Sequence, residues 1–142
     1  MSRSPEGFDY FDVAADVGVK AWGPTLSHAF RQCALGVFQL IVELADVNPR
    51  ETRELRAAGD NREALLVNWI NELLYLHDIE GFLVSNVTFP VFEEGLIHSR
   101  LEGESLDPNR HRPGTIVKAA TFHGIHIHEV SGQWEIRLIL DV

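Results

Sequence analysis

The chain has 142 residues, 45% of them hydrophobic, which indicates one globular domain with a substantial core. Twelve basic and twenty-one acidic residues give a formal net charge of −9, so we expect no direct nucleic-acid binding and instead a basic protein partner or a cation. Cys33 is the only cysteine, which excludes an internal disulfide and favours a reducing compartment. Its position on an apolar helix face predicts a core residue and not a nucleophile.

Residues 1–7 are polar and lack the apolar segment of a signal peptide. No stretch of the sequence is long and apolar enough to predict a membrane span. We therefore expect a cytoplasmic protein without membrane contacts, in which residues 1–7 form a flexible tail and residues 8–142 form one domain.

The first part of the domain predicts two strands, a helix and a third strand. Residues 8–15 and residues 17–22 are extended by composition, and a Gly-Pro pair ends the second segment. Thr25 is a candidate N-cap for an amphipathic helix that runs to about Leu44. Residues 50–58 are highly charged and alternate only weakly, which favours an edge strand.

Residues 65–78 form a strongly apolar helical pattern, and we expect the rest of the chain to pack around this helix. Asp60 and Glu63 predict a start that resembles a capping box. The polar arc of the helix is unusual because it carries carboxamides and a phenol: Asn68, Asn71, Glu72 and Tyr75. We favour hydrogen bonds from these side chains to neighbouring loops and sheet edges over a partner-facing role.

The second half of the domain predicts strands. Residues 82–93 contain Pro90, which favours an edge strand or a bulge, and residues 106–114 predict a loop. Gly124 divides one of the other extended segments, which lie at residues 96–104, 115–130 and 134–140. This order predicts an α+β fold: a two-layer single domain with two helices packed on a mostly antiparallel β-sheet.

Carboxylates at the end of the last predicted strand are the first candidate for chemistry. Asp141 and the terminal carboxylate of Val142 would place two anionic groups close together. If the sheet brought Asp16 or Asp12 alongside, a hard cation such as Ca²⁺ or Mg²⁺ would have to neutralise the charge. From spacing alone, an ordinary solvated terminus is the favoured interpretation.

Histidines and a lysine are weaker candidates. His126 and His128 point to one side of a strand and invite a zinc interpretation together with His123, but no spacing nominates a further ligand, so we favour exposed strand histidines. His111 has no better claim. Lys118 lies among apolar residues, where it either extends into solvent, pairs with a carboxylate or contacts an anionic ligand. No P-loop, nucleophile elbow or zinc-protease motif is present, and no catalytic residue is predicted.

Four segments, taken together, resemble the archease family. Residues 12–18, Asp-Val-Ala-Ala-Asp-Val-Gly, are similar to the family's Asp-His-Thr-Ala-Asp-Ile-Gly. Residues 65–75 contain Trp-Ile-Asn-Glu-Leu-Leu-Tyr, which resembles its Trp-Leu-Asn-Glu-Leu-Leu-Tyr helix. Residues 118–123, Lys-Ala-Ala-Thr-Phe-His, look like Lys-Ala-x-Thr-Tyr-His, and residues 138–142 resemble the family's Leu-Asp-Val/Ile ending.

The resemblance implies an archease-like fold and a non-enzymatic activator of an RtcB-type RNA ligase in tRNA splicing and RNA repair. Such an activator promotes GTP-dependent guanylylation of the ligase's active-site histidine, allows multiple turnovers and broadens nucleotide use. The resemblance also implies a divalent-cation site, with Ca²⁺ preferred and Mg²⁺ or Mn²⁺ as alternatives. Its ligands would be Asp16, Asp141 and Val142.

Lys118 would be the functional lysine beside this cation site, and Asp12 and His123 are further candidate partner contacts in the matched motifs. The chain departs from the family pattern where Val13-Ala14 replace His-Thr and a phenylalanine replaces the tyrosine after Lys118, so side-chain hydrogen bonds near the site are missing. Two other functions stay open: a metal-dependent hydrolase that uses the same carboxylates, and a general protein-binding module that uses the polar arc of the central helix.

Overall fold

A computed structural model describes residues 4–142, and within that range it contains seven β-strands, two α-helices and one short 3₁₀ helix. The elements in chain order are β1 (Gly7–Val13), β2 (Asp16–Gly23), α1 (Leu26–Ile41), the 3₁₀ helix (Leu44–Asp46), β3 (Glu51–Ala58), α2 (Arg62–Glu80), β4 (Phe82–Glu93), β5 (Leu96–Ser105), β6 (Ala119–Val130) and β7 (Gln133–Asp141).

The strands form two antiparallel sheets, one of four strands in the order β1-β2-β7-β6 and one of three strands in the order β3-β5-β4. The predicted α+β domain, with two helices packed on antiparallel strands, is confirmed. The division into two sheets was not predicted, because the partners of a strand depend on long-range contacts that leave no local pattern in the sequence. β3 and β4 are both edge strands, as the charge of the first and Pro90 of the second indicated.

Part of the segment predicted as a flexible tail, residues 4–7, contacts the domain. Residues 1–3 lie outside the described residues. The main-chain oxygen of Ser4 accepts a hydrogen bond from the indole of Trp22 at 2.9 Å, and Glu6 accepts one from Arg31 at 2.7 Å. Gly7 is already the first residue of β1 and pairs with Trp22, so this strand begins one residue before the predicted start at Phe8.

Helix α1 begins where the sequence predicted and ends earlier. The hydroxyl of Thr25 accepts a hydrogen bond from the backbone of the first turn, which confirms it as the N-cap. The helix ends at Ile41 and not near Leu44, because Val42 turns to extended backbone. The side chain of Gln39 then accepts a hydrogen bond from the Leu44 N–H at 3.0 Å, which holds the exit from the helix.

Helix α2 is the centre of the core, as its apolar pattern predicted. Its N-cap is Asn61 and not Asp60, because the Asn61 side chain accepts a hydrogen bond from the Ala64 N–H at 2.8 Å. Gly81 ends the helix in the left-handed conformation with φ 67°, which a glycine adopts without steric cost. Neither helix of the described chain has the length and hydropathy needed to span a membrane.

The core lies where α1 and α2 face the sheets. The rings of Phe30 in α1 and Trp69 in α2 are stacked with centroids 6.0 Å apart, and both side chains are fully buried. The Trp69 indole N–H donates to the hydroxyl of Ser99 at 2.9 Å, so its polar atom is satisfied. Cys33 is fully buried, and burial raises the pKa of its thiol to about 12, which confirms it as a core residue.

Two irregularities in the strands occur at residues that the sequence singled out, and a further shift in β4, between Val84 and Asn86, was not predicted. The register of β4 shifts around Pro90, which cannot donate a ladder hydrogen bond. The register of β6 shifts between Thr121 and His126, and Gly124 has φ 64° within that interval. The sequence predicted two separate strands divided at Gly124, but β6 continues through this glycine as one strand with a bulge.

Strand β6 begins at Ala119 and not at Thr115 as predicted. The N–H groups of Gly114 and Thr115 donate to main-chain oxygens at the end of α1, at 2.8 and 2.7 Å. These bonds direct the segment along the helix, so it joins the sheet only at Ala119. The loop of residues 106–114 is present as predicted.

This loop is anchored by a buried ionic cluster that the sequence analysis missed. The Glu104 carboxylate is 4% exposed and accepts hydrogen bonds from the Asn48 N–H at 2.7 Å, from His111 Nε2 at 3.1 Å and from the Arg110 guanidinium. His111 Nδ1 accepts from the Asp107 N–H, so Nε2 carries the proton that is donated to Glu104. The bond from Arg110, followed by those from Asn48 and His111, outweighs burial and lowers the pKa of Glu104 to about 2.

Replacing Glu104 with Gln should destabilise the fold by about 2–3 kcal/mol at neutral pH, because it leaves Arg110 and the Asn48 N–H without their charged acceptor. Since the folded-state pKa of Glu104 is depressed, its contribution is full above the ordinary value of 4.5 and is lost as the pH falls toward about 2. The Glu104→Gln variant should therefore show a shallower loss of unfolding free energy across that acidic range, measured by urea unfolding.

The control is Glu54→Gln, which breaks the exposed ion pair with Arg100 and should change the unfolding free energy by less than about 0.5 kcal/mol. Equal effects of the two substitutions would contradict an anchoring role for Glu104.

Candidate site at the ends of strands β2, β6 and β7

Strand β7 lies between β2 and β6 and runs antiparallel to both, so the start of β2, the start of β6 and the end of β7 share one edge of the sheet. Val17 pairs with Leu140, and Ala119 pairs with Asp141. We use the name strand-end site for the residues at this edge: Asp16, Lys118, Asp141 and Val142.

Asp16 and Asp141 meet at this edge. Each lies one residue beyond the pair formed by Val17 and Leu140, so continuing the register places the two aspartates opposite each other. Leu140 is fully buried on the helix-facing side, which directs Asp141 to the other face of the sheet. Opposed residues of antiparallel strands have Cβ atoms about 4.5–5.5 Å apart, so two carboxylates share one small region.

Asp12 lies on the other face of the sheet. It pairs with Val17, and paired residues project from the same side of an antiparallel sheet. Tyr10 projects from this same side, and its hydroxyl donates to the main-chain oxygen of Gly36 in α1 at 2.7 Å, so this is the helix-facing side of the sheet. The sheet therefore does not bring Asp12 onto the face of Asp16, although both residues are at the same edge.

The backbone of Lys118 is attached to the end of β7, because its N–H donates to the main-chain oxygen of Asp141 at 2.8 Å. Its side chain is exposed. Ala120, two residues after Lys118, is bound on both of its main-chain groups by the side chain of Asn71. The Asn71 carboxamide accepts from the Ala120 N–H at 2.7 Å and donates to the Ala120 carbonyl at 3.3 Å. β6 is an edge strand, so this side chain supplies the pairing that a neighbouring strand would otherwise provide.

The polar arc of α2 is therefore explained in part. Asn71 bonds to β6, and Asn68 donates to the Ala58 carbonyl at the end of β3 at 2.8 Å. The prediction that these carboxamides bond to sheet edges is confirmed. Glu72 and Tyr75 are exposed, and the tyrosine exposes 63% of its surface.

His123 is not brought to the strand-end site. It is exposed within the β6 bulge, roughly 13 Å along the strand from Ala119. His126 and His128 are exposed as well, which agrees with the favoured interpretation of these residues as strand histidines.

A glycine beside the strand-end site lets an aromatic side chain cover the sheet. A Cβ atom on Gly18 would lie 2.2 Å from the ring of Phe11, so only glycine allows this contact. The Arg137 guanidinium carbon lies 4.0 Å from the centroid of the same ring. This stack holds the positive charge of Arg137 on the aromatic face and leaves the aspartates without an ion pair among residues 4–142.

The donor atoms at the strand-end site suit a hard cation. Asp16 and Asp141 provide carboxylate oxygens, and Val142 adds main-chain oxygen, which are the ligand types that Ca²⁺ and Mg²⁺ prefer. The site lacks the thiolate and imidazole ligands of structural zinc sites. Across the described chain, no three His, Cys, Asp or Glu side chains are clustered to hold a metal ion, so a cation here would need further oxygen ligands from water or a partner.

Comparisons with known proteins give one consistent result. The model of the Archease protein family (MTH1598/TM1083) matches residues 8–142. Protein archease of Pyrococcus abyssi is 34% identical over 139 residues, which cover 95% of this chain and 98% of the relative. Protein archease of Danio rerio is 33% identical over 138 residues and covers 95% of this chain and 85% of the relative.

Two solved structures are similar to this fold. The solution structure of protein 1598 from Methanobacterium thermoautotrophicum has a TM-score of 0.79 and 33% identity, with coverage of 96% of this chain and 99% of that one. A crystal structure from Thermotoga maritima, described as an archease and possible chaperone, has a TM-score of 0.60 over 100% of this chain and 98% of that one. At 13% identity, the second similarity concerns the fold alone.

Replacing Asn71 with Ala should release the start of β6, because the Ala120 N–H and carbonyl lose their partner. We expect a loss of about 1–2 kcal/mol in unfolding free energy and faster amide hydrogen exchange at Ala120 and Lys118. Asn68→Ala is the matched control on the same helix, since Asn68 is exposed and makes one hydrogen bond. Unchanged exchange at Ala120 in the Asn71 variant would contradict this role.

Proposed function

This chain belongs to the archease family, and we propose that it activates a partner RNA ligase of the RtcB type in tRNA splicing and RNA repair. In this proposal the chain performs no chemistry of its own. It promotes GTP-dependent guanylylation of the ligase's active-site histidine, allows multiple turnovers and broadens nucleotide use. The observation that supports the proposal is the convergence of Asp16, Lys118 and Asp141 at one sheet edge in a chain that matches the family from residue 8 onward.

The strand-end site offers opposite charges within a small region, and its Lys118 and Asp141 are exposed. Asp16 and Asp141, with oxygen from Val142, would hold a divalent cation, with Ca²⁺ preferred and Mg²⁺ or Mn²⁺ as alternatives. When bound, such a cation supplies positive charge that attracts phosphate or carboxylate oxygens of a partner. The ammonium group of Lys118 adds a second positive charge for the same anionic groups.

The chain would act by binding one state of the ligase more tightly than others. The strand-end site would stabilise the guanylylation-competent state of the ligase. The shift toward that state is limited by how much more tightly the chain binds it than the inactive state.

The departure from the family pattern lies directly beside the aspartate. Val13 pairs with Asp16 in the β1–β2 hairpin, so the residue that faces the carboxylate is apolar where the pattern has histidine. Ala14, in the turn, has no hydroxyl where the pattern has threonine. No side chain of these two residues can hydrogen bond to Asp16, and we propose that this chain binds its cation more weakly than the family pattern would allow.

Adding the wild-type chain should increase guanylylation and multiple turnover of an RtcB-type ligase from the same organism. Asp16→Asn and Asp141→Asn keep the side-chain shape and remove the charge, so each should reduce the stimulation about tenfold or more, and Lys118→Met should do the same. Single-turnover guanylylation with labelled GTP separates this step from RNA sealing.

Glu129→Gln is the control, because Glu129 is an exposed carboxylate toward the other end of β6. Wild-type chain that leaves ligase turnover unchanged would reject the proposal. The chain alone should show no Mn²⁺-dependent phosphatase or nuclease activity, and an activity that Asp141→Asn abolished would favour the hydrolase alternative.

Calcium binding should depend on both aspartates. In calorimetric titrations, Asp16→Asn and Asp141→Asn should each weaken Ca²⁺ binding about tenfold or more, because each removes a charged oxygen ligand. The double replacement Val13→His with Ala14→Thr restores the family pattern and should strengthen binding. Equal Ca²⁺ binding by the wild type and both aspartate variants would refute the assigned ligands.

A further inference from the structure

A cavity of about 580 Å³ opens at the other end of the domain from the strand-end site. Its walls come from the first turn of α2, the β4–β5 hairpin, the start of α1 and strand β6. Arg62 in its wall covers the ring of Trp134 at 4.9 Å, near the start of β7. Asp141 ends the same strand, about 23 Å away for an extended chain, so the cavity and the strand-end site are separate.

The floor of the cavity is apolar and packs against the core. It is formed by Leu26, Leu65, Phe92 and Ile127. The Phe92 ring packs edge-on against Phe30 of the core with centroids 5.1 Å apart, and Leu65 is 3% exposed. The hairpin wall is attached to the turn between β3 and α2, because the Gly59 N–H donates to the Gly95 carbonyl at 3.1 Å. An apolar side chain that entered this open space would bury hydrophobic surface against the floor.

The rim of the cavity is anionic. Four carboxylates surround the opening: Asp60, Glu63, Glu93 and Glu94. Within residues 4–142, none of them forms a salt bridge or a side-chain hydrogen bond. Among the described residues that line the cavity, Arg62 is the only cation, and it is held over the Trp134 ring. The opening therefore presents uncompensated negative charge above an apolar floor.

We propose that this cavity binds a basic segment of a protein partner, in which an apolar side chain fills the cavity and flanking Lys or Arg residues pair with the rim carboxylates. Charge complementarity selects this occupant. Nucleic acids and anionic ligands are repelled by the rim, and a second copy of this chain would bring further negative charge, since the net charge is −9. This proposal does not depend on the strand-end site or on activation of a ligase.

The test uses a dye-labelled peptide, acetyl-Lys-Arg-Leu-Phe-Lys-Arg-amide, and the full chain labelled with ¹⁵N. Chemical-shift changes should concentrate at Arg62, Leu65, Gly95 and Ile127, and fluorescence anisotropy should give the dissociation constant. The double variant Glu93→Gln with Glu94→Gln should weaken binding about five- to tenfold, because it removes two exposed charge pairs.

The control is Glu43→Gln with Glu72→Gln, which removes the same charge at exposed positions outside the cavity and should leave binding within about twofold of wild type. A peptide with Ser in place of Leu-Phe should bind more weakly. The proposal is overturned by no binding to the wild type at millimolar peptide, by shift changes outside the cavity, by equal loss in both double variants, or by equal binding of the Ser peptide.

Discussion

The arrangement of this domain depends on the pairing of β7 with a strand on each side. Ile136, Leu138 and Leu140 of this strand are fully buried on the helix-facing side of the sheet. Because side chains alternate along a strand, burial of these three residues directs Arg137, Ile139 and Asp141 to the opposite face. The direction of the Asp141 carboxylate is therefore set by the hydrophobic core, and a slip of one residue in the register would expose the buried side chains.

Polar side chains hold the segments that the core does not reach. The Asn71 carboxamide bonds to the free edge of β6. The Glu104 carboxylate binds side chains of the loop that precedes β6 and so holds that loop in place. Between these two anchors, Lys118 has its main chain attached to β7 and its side chain in solvent. A flexible charged side chain thus extends from a backbone that is fixed on both sides, which limits the entropy that its binding to a partner would cost.

The net charge of −9 agrees with the acidic side chains at the strand-end site and around the cavity, the two surfaces for which we propose partners. The strand-end site and the cavity lie at opposite ends of β7, and each presents carboxylates that form no ion pair with any residue in the described part of the chain. The first collects oxygen ligands beside one lysine and suits a cation and phosphate groups. The second combines carboxylates with an apolar floor and suits a basic peptide. A chain of one dominant charge also attracts positively charged partners over distance, which increases association rates at low ionic strength.

Local chemistry determined the elements of this fold. The apolar arc of α2, the cap at Thr25 and the bulge at Pro90 each follow from the conformation or periodicity of neighbouring residues, and each was predictable. Two predicted boundaries were wrong: the end of α1 near Leu44 and the start of β6 at Thr115. Both depend on hydrogen bonds between the end of α1 and a loop distant in sequence. The ionic cluster of Glu104 and His111 left no motif, since its members are brought together only by folding.

The sequence by itself also nominated the residues of the strand-end site, through motifs at both ends of the domain. Only the tertiary structure decided which of them meet: Asp16 opposes Asp141, Asp12 projects from the other face, and His123 lies along the strand in a bulge. The physical reason is that strand order and register are fixed by long-range burial and backbone pairing. Residue spacing along the chain carries no information about either.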